Sequence, residues 1–474
     1  MHQTGELFRL MFWVINEIMI FSSLLFLFWF IPIFFAIYYI VPTRFKNLIL
    51  FIGSIVFYGW GEPKYLILIF ISILVNYIAG VIMERVSQIT ARKIVMILAL
   101  LFDFGMLMVF KYTGFFVDNI NHLTGMSISR PVIELPLGIS FYTFQIASYI
   151  IDEYRGEIKA EHNILTLGTY LVMFPQLIAG PIVVYKQVSD ELKSRKISLE
   201  CVQSGIEVFV YGLASKILIA NQCGKLWDDV AQIGYDKISM PLAWLAMVAY
   251  TLQIFFDFNG YSLMAIGLGK MLGFNMPQNF NYPYISLSIT EFWRRWHITL
   301  SSWFRDYIYI PLGGNRKGKI KTYVNLLIVW FLTGFWHGAS WNFIVWGLYF
   351  FVILMFEKGF IGTFLEKHRI ISQIYTLLLI GMSWMIFAIT DFSSLIVFIK
   401  RLFSLEFKPD IVYYLHNYAV IVVIGCLFST PLIKNMYEKV KNKISDVILM
   451  CVLLFLCVSY LADASYNPFL YFRF

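Results

Sequence analysis

Long apolar runs separated by short polar segments make up most of the chain. A helix needs about 20 apolar residues to cross the ~30 Å hydrocarbon core of a bilayer. Runs of that length lie at 20–41, 65–83, 94–111, 163–184, 202–222, 240–272, 370–392, 412–431 and 446–464. Shorter or interrupted runs lie at 47–60, 136–152 and 323–356. The pattern predicts an all-α, multi-pass membrane protein with about eleven transmembrane helices plus re-entrant and in-plane helices.

The polar segments between these runs indicate the topology. Basic residues collect near 44–46, 85–93, 316–321 and 434–443, and short loops rich in Lys and Arg stay on the cytoplasmic side. A further basic run at 186–196 disturbs the alternation of sides, so we expect part of 112–200 not to cross completely. No internal repeat and no loop the size of a soluble domain divides the chain. We therefore expect residues 19–474 to form one membrane domain.

Residues 1–18 differ from the rest of the chain. They contain acidic and polar residues, without the ordered charged, apolar and cleavage regions of a signal peptide. Met19 begins the first continuous apolar run. The extension therefore either precedes the true start of translation or forms a short interfacial helix.

Composition and charge exclude several classes of protein. Of the 474 residues, 59% are hydrophobic and 14% charged, whereas an average soluble domain carries roughly 25% charged residues. A soluble fold of this length could not cover so much apolar surface. The net charge of +8 comes from short loops, which favours membrane topology over nucleic-acid binding. The five cysteines contain no C-x-x-C motif, so neither a disulfide framework nor a zinc site is indicated.

The apolar run 323–356 contains a histidine, His337, in its middle. As one helix the run would measure about 51 Å, which is too long for one crossing and short for two. We predict a break at Gly334, Gly338 and Ser340, about 22 Å from the preceding basic loop. Ionisable groups at that depth are costly and mark functional sites. A general base is therefore favoured over a structural histidine that binds a freed carbonyl.

A second polar cluster lies at 284–310. Apolar residues recur there at helical spacing, at Ile285, Ile289, Phe292, Trp296, Leu300, Trp303 and Tyr307, opposite Glu291, Arg294, Arg295, Ser302 and Arg305. A span would bury two adjacent arginines, so the pattern predicts one amphipathic helix in the membrane interface. We expect an ion pair between Glu291 and Arg295 on its polar face. His297 points towards the protein, and the sequence supports a structural and a functional role for it equally.

Other ionisable residues give weaker signals. Asp257 could face the same interior as His337 or cap a helix break at Asn259 and Gly260. A structural role for Asp257 is at least as well supported as a functional one. Lys216 and Glu207 share one apolar run but lie on different faces, so we expect them to have separate partners. The chain has no G-x-S-x-G, Walker or H-E-x-x-H motif, which disfavours hydrolases, ATPases and metalloproteases.

Several longer sequence words resemble one family, the membrane-bound O-acyltransferases, and in particular its alginate O-acetyltransferase branch. They are MIFSSLLFLFWFIPI, FYGWGEPKY, LPLGISFYTFQIASYIIDEYRG, MFPQLIAGPI, DFNGYSLMAIGLGKMLGF, FWRRWHITLSSWFRDYIYIPLGGNRKG, GFWHGASWNFIVWG and YNPFLYF. The resemblance runs in order from Met19 to the C-terminus. Residues 1–18 have no counterpart in it, and Asn259 stands where a serine is expected.

The resemblance implies a fold whose helices surround a central tunnel, with the reactive histidine at His337 and a second characteristic histidine at His297. His297 would orient the acceptor or stabilise developing charge. Within the matching words we expect further residues to bind substrate or support the histidines, namely Asp257, Trp336, Asn342, Arg305 and Asp306. No metal site is implied.

The activity implied is transfer of an acetyl group from a cytoplasmic donor to a hydroxyl of a cell-surface polysaccharide. The donor would be acetyl-CoA or another acetyl carrier, with no bound cofactor. The expected location is the bacterial cytoplasmic (inner) membrane, with membrane lipid but no nucleic acid as a partner. Relatives work with an extracytoplasmic transferase, so His337 would act on the sugar directly or load that partner.

Three alternative functions rank below this hypothesis. D-alanyl transfer to teichoic acid is implied by a branch that shares the fold but usually lacks the word FRDYIYIPLGGNRKG. A lipid-modifying or protein-acylating relative ranks third. A transporter, from a different class, predicts paired broken helices in two related halves, which the sequence does not contain.

Overall fold

The computed structural model describes residues 19–178, 180–440 and 442–463, so the extension 1–18 lies outside the described residues. All regular secondary structure in the described part of the chain is helical, which confirms the predicted all-α class. Two compact units emerge. The described residues of the first unit fall within Met1–Phe209 and Met264–Pro277, and those of the second fall within Val210–Leu263 and Gln278–Phe474.

The helices are numbered here in chain order. The earlier ones are α1 Phe26–Ile40, α2 Lys46–Gly61, α3 Leu66–Arg85, α4 Ile89–Thr124, α5 Ile139–Arg155, α6 Ile164–Val172, α7 Phe174–Leu177, α8 Tyr185–Lys193, α9 Leu199–Ile233 and α10 Met240–Leu272. The later ones are α11 Ile289–Arg295, α12 Ile298–Phe304, α13 Lys319–His337, α14 Trp341–Lys367, α15 Arg369–Ala388, α16 Phe392–Leu402, α17 Asp410–Phe428, α18 Leu432–Val440 and α19 Lys443–Asp463.

Eight helical segments within the described residues are long and apolar enough to cross a membrane. They are Pro63–Arg85, which includes α3, and α4, α9, α10, α14, α15, α17 and α19. The multi-pass prediction is therefore confirmed. The runs at 47–60 and 136–152 form α2 and α5, with 16 and 17 residues, which is shorter than the usual spanning length of about 20.

The spanning helix predicted at 163–184 is wrong. The chain there forms α6, with 9 residues, and α7, with 4 residues, separated by a non-helical Met173. Leu167, Tyr170 and Phe174 are fully buried within the first unit. Hydropathy alone cannot distinguish such a protein-buried segment from one that faces lipid. The expectation that part of 112–200 does not cross completely fits these short helices.

The single amphipathic helix predicted at 284–310 is also wrong. Helices α11 and α12 are separated at His297, whose φ of 44° lies in the left-handed region. The backbone of 279–281 pairs with this break: the Asn281 amide donates to Arg295, and the Ile298 amide donates to Asn279, both at 2.9 Å. These bonds replace the ones that a continuous helix would make. The prediction of an apolar face is confirmed for six residues, which are all buried: Ile289, Phe292, Trp296, Leu300, Trp303 and Tyr307. The Glu291–Arg295 pair is confirmed at 2.8 Å.

The break predicted inside 323–356 is confirmed. Helix α13 ends at His337, the backbone is extended at Gly338 and Ser340, and α14 begins at Trp341. After the break, α14 runs back along α13, and the two helices touch at their glycines. A Cβ atom at Gly334 would collide with the carbonyl oxygen of Phe343, and one at Gly347 with that of Trp330. The hairpin therefore depends on direct backbone contact, a known use of small residues in membrane helices.

We expect Gly334→Ala or Gly347→Ala to separate α13 from α14, because the added methyl group meets backbone that cannot rotate away. The expected result is a clearly lower unfolding temperature in detergent and reduced activity. The matched control is Gly105→Ala in α4, where an added Cβ would have no neighbour within 4 Å. Unfolding temperatures of the Gly334 and Gly347 variants equal to that of the control would contradict the close contact.

Candidate active site

His337 is the last residue of α13 and is held among aromatic rings. Its ring centroid lies 5.0 Å from that of Trp336, 4.9 Å from Trp346 and 5.4 Å from Phe387, each in an edge-to-face arrangement. The side chain is buried. The end of α13 at His337 therefore leaves the imidazole at a helix terminus, packed against these aromatic rings.

His297 occupies the break between α11 and α12 and is 1% exposed. Its ring centroid lies 4.7 Å from that of Phe258 and 6.4 Å from that of Phe280. Burial lowers the pKa of His297 to about 3, because a charged imidazolium would lose its hydration there. The ring is therefore neutral at physiological pH.

Trp336 brings the two histidines into one site. Its ring centroid lies 6.4 Å from that of His297 and 5.0 Å from that of His337. The two imidazoles are thus no further apart than the sum of these distances. Three of the residues expected to act together are neighbours in the second unit, although they are up to 40 positions apart in the sequence.

Asn279 fixes the orientation of His297. Its side-chain oxygen contacts His297 Nδ1 at 3.1 Å and accepts from the Thr299 hydroxyl at 2.9 Å and the Thr299 amide at 3.2 Å. Asn279 is 1% exposed. Its position beside His297 could not be predicted from the sequence, because it lies in a polar loop without helical periodicity. The only feature of the sequence that marks Asn279 is its place in a segment bordered by apolar residues.

Glu357 anchors the helix that leads to His297. One carboxylate oxygen accepts from the Ile289 amide at 2.6 Å, and the other from the Thr290 amide at 3.0 Å and its hydroxyl at 2.8 Å. These amides belong to the first turn of α11, whose N–H groups have no partner within the helix. A carboxylate at a helix N-terminus is also favoured by the helix dipole. Glu357 lies in α14, so it ties the helix before His297 to the hairpin that holds His337.

Asn342 also links elements around His337. It lies in the first turn of α14, and its amide donates to the carbonyl oxygens of Ile386 at 3.3 Å and Phe387 at 3.2 Å. Phe387 is one of the rings against His337. The geometry gives Asn342 a supporting position between α14 and α15.

Asp257 forms a buried ion pair with Lys216, at 2.5 Å, with side chains that are 3% and 2% exposed. Helix α10 continues through Asn259 and Gly260, so the break predicted there is wrong. Gly260 serves close helix packing instead of a helix break. A Cβ atom there would meet the Gly212 carbonyl oxygen and the Lys216 backbone. Glu207 instead accepts from Gln203 at 2.9 Å, so the expectation of separate partners is confirmed.

Arg305 and Asp306 form a bidentate pair with each other, at 2.7 and 3.1 Å. Their side chains are 60% and 40% exposed, whereas both histidines are buried. The contacts described for this pair do not connect it with either histidine. Within the described ranges, no three His, Cys, Asp or Glu side chains cluster closely enough to hold a metal ion.

The fold and the site together define a multi-pass, all-α membrane protein with two buried histidines at helix breaks. The model of the membrane-bound O-acyltransferase family matches residues 149–399. The chain belongs to this family and is an O-acyltransferase.

Its relatives include bacterial acyltransferases. "Probable alginate O-acetylase AlgI" of Pseudomonas aeruginosa is 41% identical over 375 residues, covering 78% of this chain and 72% of the relative. A peptidoglycan O-acetyltransferase of Helicobacter pylori is 33% identical over 428 residues, covering 82% and 80%. A teichoic acid D-alanyltransferase of Bacillus subtilis is 32% identical over 237 residues, covering 47% and 60%.

The Lys216–Asp257 pair generates a test of whether Asp257 acts on substrate or only balances charge. Asp257→Leu removes the carboxylate from a buried ammonium group, so we expect a loss of roughly 3–5 kcal/mol in stability. The double variant Lys216→Met with Asp257→Leu should regain most of that stability and of the activity. Thermal unfolding and acyl transfer of both variants provide the measurement. A stable but inactive double variant would instead place Asp257 in the chemistry.

Glu357→Gln should loosen α11, because the amide nitrogen cannot accept from the first-turn N–H groups. We expect a cost of about 1–3 kcal/mol and greater access of chemical modifiers to His297. Thr290→Val serves as the graded comparison, since it removes only the hydroxyl bond to Glu357. Diethyl pyrocarbonate labelling followed by mass spectrometry measures the access. Labelling of His297 that is unchanged from the wild type would contradict the anchoring role.

Proposed function

We propose that this O-acyltransferase moves an acetyl group from a cytoplasmic donor to a hydroxyl of a cell-surface polysaccharide, with His337 as the general base. The observation that carries the proposal is the buried His337 at the end of α13, with His297 against the same tryptophan. The acceptor class comes from the names of relatives that cover most of this chain, which specify alginate and peptidoglycan.

The chemistry needs one base and one acyl donor. His337 takes the proton of an acceptor hydroxyl while the oxygen of that hydroxyl attacks the carbonyl carbon of an acetyl thioester. The carbon–sulfur bond then breaks, and the leaving thiolate receives the proton from the imidazolium of His337. The products are an acetyl ester and a free thiol, and the base returns to its neutral form. The aromatic enclosure favours this cycle, because it excludes water that would otherwise hydrolyse the thioester.

The donor in this proposal is acetyl-CoA or another acetylated carrier in the cytoplasm, and the enzyme resides in the bacterial inner membrane. The acetyl group reaches the outer side while its donor stays inside. Either a hydroxyl of an extracytoplasmic transferase accepts the acetyl group in the step that His337 catalyses, or the sugar hydroxyl accepts it directly. Apolar spanning helices and bacterial relatives support this location.

The direct test is His337→Ala, expressed in a bacterial host whose own polysaccharide acetyltransferase is deleted. We expect polymer-bound acetate to fall at least ~100-fold, the usual scale for loss of a general base. His416→Ala, at an exposed histidine of α17, is the control and should retain wild-type acetate. Undiminished acetate with correctly inserted His337→Ala protein would contradict the proposal. D-alanine esters in place of acetate would favour D-alanyl transfer.

A further inference from the structure

The contact between Asn279 and His297 determines which nitrogen of the imidazole carries its proton. The backbone amide of Thr299 can only donate, and it donates to the Asn279 side chain at 3.2 Å. The Asn279 atom at this position is therefore the oxygen. Because an amide oxygen can only accept, His297 Nδ1, which lies 3.1 Å from it, must be the protonated nitrogen.

A neutral imidazole with its proton on Nδ1 has a lone pair on Nε2. The surroundings keep His297 in this form. The rings that pack against it from α10, the 279–281 segment and α13 belong to Phe258, Phe280 and Trp336, and none of them is charged. Asn279, the polar side chain that contacts its Nδ1, is neutral as well. Nε2 can thus accept a hydrogen bond but cannot donate one.

This lone pair is buried and unused within the protein. Among the described residues, His297 Nε2 has no hydrogen-bond partner and is inaccessible to solvent. Leaving a buried polar atom unsatisfied costs about 1–3 kcal/mol, so such an atom in a packed interior requires an explanation. A ligand that donates a hydrogen bond supplies one. The same property excludes His297 from stabilising an oxyanion, since that role requires a donor.

We propose that Asn279 is a positioning residue that sets the tautomer of His297, so that Nε2 accepts a hydrogen bond from a hydroxyl group of the acceptor molecule. The inference rests on the proposed function and deepens it. His337 takes the proton of the reacting hydroxyl, and His297 holds the acceptor through a hydroxyl that keeps its proton. No bond breaks at His297. A molecule with several hydroxyl groups, as a polysaccharide has, meets both requirements.

The first experiment separates acceptor binding from donor binding. The reconstituted chain is assayed with radiolabelled acetyl-CoA as donor and with alginate or peptidoglycan oligosaccharides as acceptors. For Asn279→Ala we expect the KM for the acceptor to rise about 10-fold, equivalent to 1.4 kcal/mol, while the KM for acetyl-CoA stays constant. Asn325→Ala is the matched control, because Asn325 is equally buried and donates to the carbonyl oxygens of Leu312 and Gly314. Its acceptor KM should not change.

The second experiment uses the pH profile, which a purely structural role would not shift. Asn279→Asp places a carboxylate against Nδ1 and favours the imidazolium, so the pKa of His297 rises and Nε2 becomes protonated at low pH. Acceptor binding should then weaken as pH falls through the raised pKa and recover at higher pH. In the Asn279→Ala background, His297→Nδ-methylhistidine should restore binding, because the methyl group leaves the lone pair on Nε2.

The outcomes are distinguishable from those of the wider proposal. If the wild-type chain transfers no acetyl group to any oligosaccharide, either directly or through an added extracytoplasmic transferase, the proposed function fails. If the wild type is active but the acceptor KM of Asn279→Ala equals that of the wild type, the role of Asn279 is overturned and the acetyltransferase remains. An Asn279→Asp variant that loses the same fraction of activity at every pH would also overturn it.

Discussion

The close backbone contact between α13 and α14 is the constraint on which the site depends. Glycines at 334 and 347 let the helices approach until a methyl group would collide with a carbonyl. The chain must then reverse within a few extended residues, and this reversal ends α13 at His337. Trp346, on the returning helix, packs against the imidazole as a result. Packing of two helices, and not a specific loop sequence, thus determines where His337 lies.

Polar side chains then connect the surrounding elements to this hairpin. Glu357 holds the start of α11, Asn342 holds the end of α15, and Asn279 holds the His297 ring. Each satisfies groups that would be costly to leave unpaired in a low-dielectric interior. Because backbone amides and carbonyls are the main partners, the network fixes the positions of whole helices. The orientation of the two histidines follows from that framework.

The hairpin could be predicted from the sequence, and Asn342 from the resemblance, but the other two polar side chains of the network could not. The 34-residue run was too long for one crossing, so its length predicted a break, and Gly334, Gly338 and Ser340 placed the break beside His337. Asn279 and Glu357 were missed, because their partners lie 18 to 68 positions away and local periodicity contains no long-range pairing. The segment 163–184 was mistaken for a span, because burial in protein and burial in lipid select the same apolar residues. The left-handed backbone at His297 arises from tertiary hydrogen bonds, which override its helical pattern.

The central claim is that one site contains both histidines, with Trp336 between them, and that acyl transfer occurs there. Electron cryomicroscopy of the chain with a non-transferable acetyl-CoA analogue tests it most directly. We expect density for the acyl group beside His337, and His297 Nδ1 still bound to the Asn279 oxygen. Acyl density remote from His337, or histidine rings that do not share Trp336 as a neighbour, would contradict the account.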